Sequence, residues 1–393
     1  MSMEKYNKIH FIGIGGISMS SLAEILKSKG KTITGSDGVA SNVTKALENI
    51  GIQVSIGQKA ENITPDTDLI VYTAAVKEDN PELMAARASG IETVDRAALV
   101  GMMMLEYKFP LSVAGTHGKT TTSSLVTEIF LEANTNPTVS IGGILPSIKG
   151  NYKVGGEDYF ILETCEYCDS FLKFNPHGAI ILNIDADHLD YFKNLDNIYK
   201  SFNKFANRLP EGGFLVINNE IPRLSEVLEG VKAKVITYGK DNTADWYPTD
   251  VTFNDLGHAT YTVNHKGEKI AQVELSIPGM HNVYNSLSAF ALATCYGVAT
   301  EAIVKGIKNF TGTDRRFQFK GQFNGVNVID DYAHHPTEIQ ATINSARGTK
   351  LNKLWIMFQP HTYTRTYNHL DDFAKVLSEA DHVILLDIYA SRE

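Results

Sequence analysis

The sequence has few cysteines, no long hydrophobic run and no cluster of basic residues, and each absence argues against a class of protein. Its three cysteines, an odd number, argue against a disulfide framework and favour a reducing compartment. No run of roughly 18 apolar residues is present to span a membrane. A net charge of −9 without a basic block argues against a nucleic-acid partner. We therefore expect a cytoplasmic globular protein, long enough at 393 residues for two or three domains.

The most informative segment is LSVAGTHGKTTT at positions 111–122. An apolar strand leads into a glycine-bounded loop, and a helix pattern follows at 123–133. Such a loop directs backbone N–H groups at phosphate oxygens, with Lys119 at the β- and γ-phosphates and the Thr120 hydroxyl available to Mg²⁺. The general motif has a glycine where Val113 stands here, and the glycine of this chain is Gly115. Strand, loop and helix together still favour phosphate binding over a merely structural glycine-rich turn.

Strand and helix signals divide the chain into three blocks. Residues 1–107 alternate strands with helices, which predicts a parallel, doubly wound sheet. Residues 108–313 restart with the phosphate loop, continue through strands at 159–163, 179–183 and 214–217, and add antiparallel strands between 246 and 277. Residues 314–393 begin with a hairpin at 317–330, since Asn324-Gly325 suits a type I′ turn. A helix at 336–346, a strand at 354–358, a helix at 367–378 and a strand at 382–387 follow, and we expect this third block to be incomplete.

A second glycine loop, GIGGIS at 13–18, follows the first strand and opens a helix. Dinucleotide-binding folds have this arrangement, but Ser18 replaces their third glycine. Asp37 follows the second strand, where an acidic residue would meet a ribose. The loop recognises a diphosphate, so a nicotinamide cofactor and another nucleotide both remain open.

Acidic and histidine side chains follow two strands of the second block. Glu163 ends one strand, where nucleotide hydrolases place a carboxylate that holds Mg²⁺; Glu166 lies nearby, and a solvated acidic loop is the alternative. His188 lies in the cluster IDADHLD at 184–190, at the carboxyl end of another strand. Convergence of Lys119, Glu163 and His188 at one sheet edge would suit a metal–nucleotide site. Cys165 and Cys168 have Cys-x-x-Cys spacing but no second pair, which disfavours zinc or redox chemistry.

The third block contributes two polar loops and a basic pair. Arg315 and Arg316 lie at the junction of blocks two and three, where a guanidinium could hold a phosphate. The loops DDYAHHP at 330–336 and QPHTYTRT at 359–366 each follow a strand and are predicted to share a sheet edge. Single residues of this kind are usually solvated, whereas two such loops together favour a site.

These segments, in this order, resemble the Mur ligases, the ATP-dependent amino-acid ligases of peptidoglycan synthesis. The family's phosphate loop reads Gly-Thr-x-Gly-Lys-Thr/Ser, which accounts for the displaced glycine of GTHGKT at 115–120. The opening IGIGG at 12–16, the Asp-His pair at 187–188 and DDYAHHP resemble the branch that adds L-alanine. The resemblance spans essentially the whole chain. It implies three α/β domains: a Rossmann-like N-terminal domain, a central P-loop ATPase domain with mixed sheets, and a Rossmann-like C-terminal domain, truncated here.

The resemblance also implies a role for individual residues. The UDP-sugar would contact Gly13, Ile14, Gly15, Gly16, Ser36, Asp37, Thr73 and Ala74. ATP would contact Gly115, Thr116, His117, Gly118, Lys119, Thr120, Thr121, Asn282, Asn285, Arg316 and Asp331. Magnesium would be held by Thr120, Glu163 and His188, and the alanine side would use Tyr332, His334, His361 and Arg365. Catalysis would rest on Lys119, Glu163, His188 and Arg316. Many members have Arg where Thr362 stands, and an Asp-rich turn in place of Cys165 and Cys168.

The implied reaction joins L-alanine to the carboxylate of UDP-N-acetylmuramate through an acyl phosphate, with ATP and Mg²⁺. A related ligase, which attaches a recycled tripeptide to the same sugar, is the nearest alternative. That relative tends to carry Phe where this chain has Tyr332. A nicotinamide-dependent oxidoreductase would leave Gly118-Lys119-Thr120 unexplained, and a non-catalytic nucleotide-binding regulator also stays open.

Overall fold

The computed structural model describes residues 3–391, and its first sheet is parallel and doubly wound. The five strands pair in the order β3-β2-β1-β4-β5, so the strand order reverses between β1 and β4, where the glycine loop after β1 opens. The predicted fold of this block is confirmed; β3 and β5 were not predicted. The elements are β1 (Lys8–Ile12), α1 (Ile17–Ser28), β2 (Thr32–Asp37), α2 (Asn42–Asn49), β3 (Gln53–Ile56), β4 (Leu69–Tyr72), α3 (Pro81–Ala88), β5 (Glu92–Asp95) and α4 (Arg96–Met104).

The central block forms a ten-stranded mixed sheet in the order β15-β14-β13-β12-β11-β10-β6-β9-β7-β8. The strands that carry the phosphate loop, Glu163 and His188 are neighbours, which brings their carboxyl ends to one edge. The strands are β6 (Phe109–Ala114), β7 (Thr138–Leu145), β8 (Gly150–Lys153), β9 (Tyr159–Glu163), β10 (Gly178–Ile181), β11 (Phe214–Asn218), β12 (Lys234–Tyr238), β13 (Trp246–Phe253), β14 (His258–His265) and β15 (Glu268–Pro278). The helices are α5 (Lys119–Glu132), α6 (Leu189–Phe192), α7 (Leu195–Ala206), α8 (Leu224–Leu228), α9 (Met280–Cys295) and α10 (Thr300–Asn309).

Helix α5 begins at Lys119, four residues before the predicted start at 123, so that boundary was wrong. The reason is Gly118, whose φ of +83° lets the loop turn directly into the helix. Residues 119–122 are polar and mostly β-branched, which is typical of a loop, yet Thr120 and Thr122 are buried on the helix. The predicted antiparallel strands between 246 and 277 are confirmed as β13–β15.

The third block is small and has its own core. Its hairpin turns at Asn324 and Gly325, whose φ values of +47° and +81° are those a type I′ turn requires. The predicted helix at 367–378 is instead two helices that meet at His369, whose φ of −120° is not helical. The elements are β16 (Gln318–Phe323), β17 (Val326–Asp330), α11 (Pro336–Arg347), β18 (Trp355–Phe358), α12 (Tyr363–Asn368), α13 (Leu370–Leu377) and β19 (His382–Leu385).

No helix within residues 3–391 is both long and apolar enough to cross a membrane.

Candidate functional site

The first glycine loop borders a cavity of about 740 Å³. Asp37 is held at its floor because its Oδ2 accepts a hydrogen bond from the Gly15 N–H at 2.9 Å. A Cβ built at Gly15 would lie 2.8 Å from the same carboxylate, so a side chain here would displace Asp37. The cavity is lined by Gly13, Gly15, Gly16, Asp37, Gly38, Val39, Ser41, Gln58, Thr73, Ala75, Val76, Lys77, Asp79, Asn80 and Pro81.

Three residues predicted for this site do not line the cavity. Ile14 and Ser36 are fully buried beneath it, and the Ser36 hydroxyl donates to Glu82 Oε2 at 2.7 Å. Glu82 is itself paired with His10 at 2.7 Å, which forms a buried polar network under the cavity wall. Ala74 is exposed, but its neighbour Ala75 lines the cavity instead.

In the phosphate loop, Lys119 points back onto its own loop. Its Nζ donates to the carbonyl oxygens of Gly115 at 2.5 Å and Thr116 at 2.9 Å, and pairs with Glu166 at 3.1 Å. Burial disfavours the charged lysine, but the carboxylates of Glu166 and Glu163 outweigh this effect and raise its pKa. Glu166 itself is only 2% exposed, so it is not a solvated residue, whereas Glu163 is partly exposed. This lysine therefore carries its charge into the site.

The predicted magnesium ligands lie around the same loop. The buried Thr120 hydroxyl lies 3.4 Å from Nη2 of Arg316, which brings the junction arginine to the loop. Glu163 Oε2 accepts the backbone N–H of Gly142 at 2.7 Å. His188 Nε2 lies 3.8 Å from Asp187. Burial lowers the pKa of its imidazole, an effect that the charge of Lys119 reinforces and the charges of Asp187 and Glu166 oppose. The predicted convergence at one edge is thus observed.

A second cavity, of about 350 Å³, lies where the central and third blocks meet. Asp187 and Arg365 form an ion pair across it at 3.3 Å, and both side chains are nearly buried. Burial raises the pKa of Asp187, but His188 and Arg365 reverse the shift and lower it. His361 lies 3.3 Å from the Arg365 guanidinium. The predicted amino-acid-side residues His361 and Arg365 therefore line the same cleft as His188.

His117, the variable residue of the phosphate loop, bridges two carboxylates. Its Nε2 lies 3.3 Å from Asp185 and its Nδ1 lies 3.3 Å from Glu338 of α11. Burial alone would lower the pKa of His117, but the hydrogen bonds to Asp185 and Glu338 raise it to about 9. Asn183 fixes the loop at this point, because its side chain accepts from the His117 N–H at 2.8 Å.

Within the described residues, His117, Asp185 and His335 form one group with metal-ligand spacing, their ligand atoms lying within 4.8 Å of one another. A protonated imidazole has no lone pair for a metal, and the two carboxylates favour that proton on His117. The geometry therefore supports a charged hydrogen-bonded bridge at this point.

Other predicted residues hold the surroundings of the loop. Asn285 donates to Asn282 at 2.9 Å, and a Cβ at Gly118 would lie 3.0 Å from Asn285 Oδ1, so this pair borders the loop. Asp331 accepts the backbone N–H groups of Phe317 and Ala333, and burial raises its pKa, so in this structure it shapes its own loop.

The aromatic and histidine residues of the third block are grouped beside the arginine pair. Tyr332 packs under the Arg315 guanidinium, 4.6 Å from ring centroid to Cζ, with Arg316 at 5.8 Å. The ring of His334 lies 5.2 Å from that of Tyr332. Gly115, Thr116 and Gly118 complete the loop itself, and Thr121 lies in the first turn of α5. The Thr116 hydroxyl accepts from the Asp185 N–H at 2.9 Å.

Sequence reasoning missed Glu338 and undervalued Glu166 and Asp185. Glu338 is a single acidic residue in the first turn of a helix, a common position with no functional signature. The only available signal was its place three residues after His335 in a histidine-rich loop that precedes a helix.

The arrangement defines a class of protein: a nucleotide-phosphate loop in a central domain, flanked by a second glycine-loop domain and a small polar third domain. Three family models match the chain: "Mur ligase family, catalytic domain" at 8–108, "Mur ligase middle domain" at 113–293 and "Mur ligase, glutamate ligase domain" at 315–392. The chain belongs to the Mur ligase family, and the predicted three-domain α/β fold is confirmed.

Its relatives specify a branch of that family. The chain is 54% identical to a UDP-N-acetylmuramate–L-alanine ligase of Agathobacter rectalis, over 98% of this chain and 84% of the relative. The corresponding figures for the ligase of that name in Clostridium perfringens are 45%, 98% and 84%. The solved UDP-N-acetylmuramate–alanine ligase of Thermotoga maritima matches with a TM-score of 0.81 and 31% identity, over 98% of this chain and 86% of that one. A murein peptide ligase of Psychrobacter arcticus matches with a TM-score of 0.75 and 26% identity, over 96% and 84%.

Proposed function

We propose that this chain ligates L-alanine to the carboxylate of UDP-N-acetylmuramate, with hydrolysis of ATP, in peptidoglycan precursor synthesis. The observation that carries the proposal is the meeting of Lys119, Arg316 and His188 around one phosphate loop, with Arg365 and His361 in the adjoining cleft. The identity to alanine-adding relatives supports the same substrates.

The chemistry follows from charge. The sugar carboxylate attacks the γ-phosphorus of ATP, a bond to oxygen forms and ADP leaves, which yields an acyl phosphate. The α-amine of alanine attacks the carbonyl carbon, and inorganic phosphate leaves from the tetrahedral intermediate as the nitrogen loses a proton. Two anions must approach each other in the first step, so we assign Lys119 and Arg316 to stabilise the negative charge. Lys119 would exchange its contact with Glu166 for phosphate oxygens.

The residues proposed as magnesium ligands fit a divalent cation in their chemistry. A threonine hydroxyl and a carboxylate are hard oxygen ligands, and burial favours a neutral His188 with a lone pair to offer. Thr120, Glu163 and His188 would hold the ion, which would supply charge neutralisation at the phosphates. The Gly142 N–H holds Glu163 through its Oε2 at 2.7 Å.

We also propose that the blocks 1–107, 108–313 and 314–393 are three domains with separate tasks. The cavity beside Gly15 and Asp37 would take the UDP moiety, since its loop opens at the reversal of the strand order. The central domain would hold ATP, and the third would present the alanine side through Tyr332, His334, His361 and Arg365.

The proposal is tested by incubating the protein with ATP, Mg²⁺ and UDP-N-acetylmuramate and then supplying single amino acids or the recycled tripeptide. We expect phosphate release and a product heavier by one alanine residue, with L-alanine alone. Product with the tripeptide only would establish the murein peptide ligase alternative. Nucleotide binding without a product would leave a regulator, and a nicotinamide-dependent absorbance change would indicate an oxidoreductase.

A magnesium titration tests the proposed metal ligands. His188→Ala should weaken the dependence of the rate on Mg²⁺ more than it weakens ATP binding, because contacts to the transferring phosphate mature during the reaction. Lost activity with an unchanged titration would instead give His188 a positional or acid–base role.

A further inference from the structure

Glu338 contacts two parts of the proposed site that lie on different domains. Its Oε1 lies 3.3 Å from Nδ1 of His117 in the phosphate loop. Its Oε2 accepts the backbone N–H of His334, beside Tyr332, at 3.0 Å. Both carboxylate oxygens are therefore used, one towards each domain.

The contact is well enclosed on both sides. The Glu338 side chain is 16% exposed and that of His117 is 13% exposed, so water screens the pair only weakly. A second contact joins the same two domains nearby: the Thr337 hydroxyl donates to Asp185 Oδ2 at 3.0 Å. His117 is thus held between a carboxylate of its own domain and a carboxylate of the third domain.

His117 is part of the loop that would hold phosphate. It lies between Thr116, whose carbonyl oxygen accepts from Lys119, and Gly118, which caps the start of α5. Asn183 fixes the His117 backbone on both its N–H and its carbonyl. A shift of the loop when phosphate binds would therefore move the imidazole, and with it the carboxylate of Glu338.

We propose that Glu338 is a positioning residue that couples the phosphate loop to the segment carrying Tyr332 and His334, so that nucleotide binding and placement of the amino-acid side are linked. Glu338 touches no reacting atom in this scheme. It acts through His117 on one side and the His334 backbone on the other.

A purely structural role offers a clear alternative. Glu338 lies in the first turn of α11, where a carboxylate stabilises the helix start and its oxygen caps a preceding N–H. Glu338→Gln separates the two roles, because the amide oxygen can still accept from His334 while the charge facing His117 is lost. Glu338→Asp keeps the charge but shortens the reach.

Hydrogen exchange of the protein without ligands tests the contact independently of its activity. In Glu338→Gln, amides of the phosphate loop, on the other domain, should exchange about tenfold faster, the loss expected for one hydrogen bond to a charged group. Glu379→Gln is the matched control: it removes a third-domain carboxylate that bonds Gln340 away from the loop, and it should leave the loop unchanged. Unaltered loop exchange in Glu338→Gln would overturn the coupling.

The kinetic arm rests on the proposed ligase activity. Glu338→Gln should lower kcat about tenfold and leave the KM for the UDP-sugar unchanged, with partial recovery in Glu338→Asp. Adding His117→Gln to Glu338→Gln should cost little more than either change alone, because both remove one interaction. An additive double variant, or an equal rise in the KM for the UDP-sugar, would show general damage and overturn the proposal. If the unmodified chain fails to ligate alanine, the proposed function is wrong, and the exchange experiment still decides the coupling.

Discussion

The central domain meets its two neighbours through interfaces of different chemistry. Towards the N-terminal domain a continuous apolar core crosses the boundary, with Met103 and Tyr107 joining Phe160 and Phe171 in one cluster. The Tyr107 and Phe160 rings lie 4.7 Å apart. The backbones also touch, since a Cβ at Gly101 would lie 2.0 Å from the carbonyl oxygen of Lys173.

Towards the third domain, the side-chain contacts at the site are polar. They are His117 with Glu338, Asp185 with Thr337, Asp187 with Arg365 and Thr120 with Arg316. The third domain packs its own separate cluster around Ile343, Phe358 and Phe373. Apolar interfaces resist separation, whereas polar ones can exchange partners with water and ligand. We therefore expect the third domain to move against the central domain more readily than the N-terminal domain does, as a ligase that closes around three substrates requires.

The largest expected effect is on the ligation rate. It comes from a substitution beside the polar interface that leaves both interfaces in place. Lys119→Ala should abolish ligation, since removal of one transition-state donor costs at least about 2.7–4 kcal/mol. Steady-state rates measure this loss. The unfolding midpoint should fall as well, because Glu166 is left buried without its cation. Lys45→Ala, an exposed lysine of α2, is the control. Near-normal turnover in Lys119→Ala would remove the lysine from the mechanism.

Breaking the apolar interface should have the next largest effect, on stability. Gly101→Ala places a methyl group against the Lys173 carbonyl oxygen, and such overpacking costs about 1–3 kcal/mol. Thermal unfolding measures the free energy of unfolding. Gly38→Ala, whose Cβ would meet open space, should be nearly neutral. Equal stability of the two variants would show that the domain boundary accommodates the added methyl group in spite of its close packing.

The sequence predicted some parts of the structure around these two interfaces and not others. Gly118-Lys119-Thr120 predicted the phosphate loop because glycine, lysine and threonine at this spacing have few other uses after a strand. The alternation of strand and helix signals along the chain likewise predicted the parallel sheets. Glu338 left no such signal, since its importance depends on His117, more than two hundred residues away. Helix α7 was not predicted, although its buried face carries Ile198, Phe202 and Phe205.

Two ion pairs allow a matched comparison of the interfaces. Asp187→Asn weakens the nearly buried pair with Arg365, and we expect a fall of about tenfold in kcat, since hydrogen bonds between charged groups are worth about 1.5–3 kcal/mol. Lys173→Ala removes the pair with Asp95 at the apolar interface, where the lysine is 45% exposed. Exposed pairs contribute little, so this variant should keep both rate and unfolding midpoint. The reverse ranking would contradict the proposed division of roles.

The smallest expected effect is a pH dependence confined to the polar interface. Asp185 and Glu338 raise the pKa of His117 from 6.5 to about 9, against the effect of burial. A histidine whose folded pKa is raised contributes stabilisation that is fully present below pH 6.5 and is lost as the pH rises through about 9. His335 faces the same imidazole, but burial lowers its pKa to about 4, so it stays neutral across this range.

Small-angle X-ray scattering of the ligand-free protein checks this prediction. The radius of gyration should rise slightly between about pH 6 and about pH 10 as the third domain loosens from the phosphate loop. The Glu338 carboxylate, whose Oε2 lies 3.5 Å from His334, keeps its place in the bridge over this pH range. Loss of the proton from His117 alone therefore removes the attraction between His117 and Glu338. His117→Gln should make the curve flat, because its amide does not titrate. A radius of gyration that still rises in this variant would place the titrating group elsewhere. The apolar N-terminal interface would then have to be tested in the same way as the polar one.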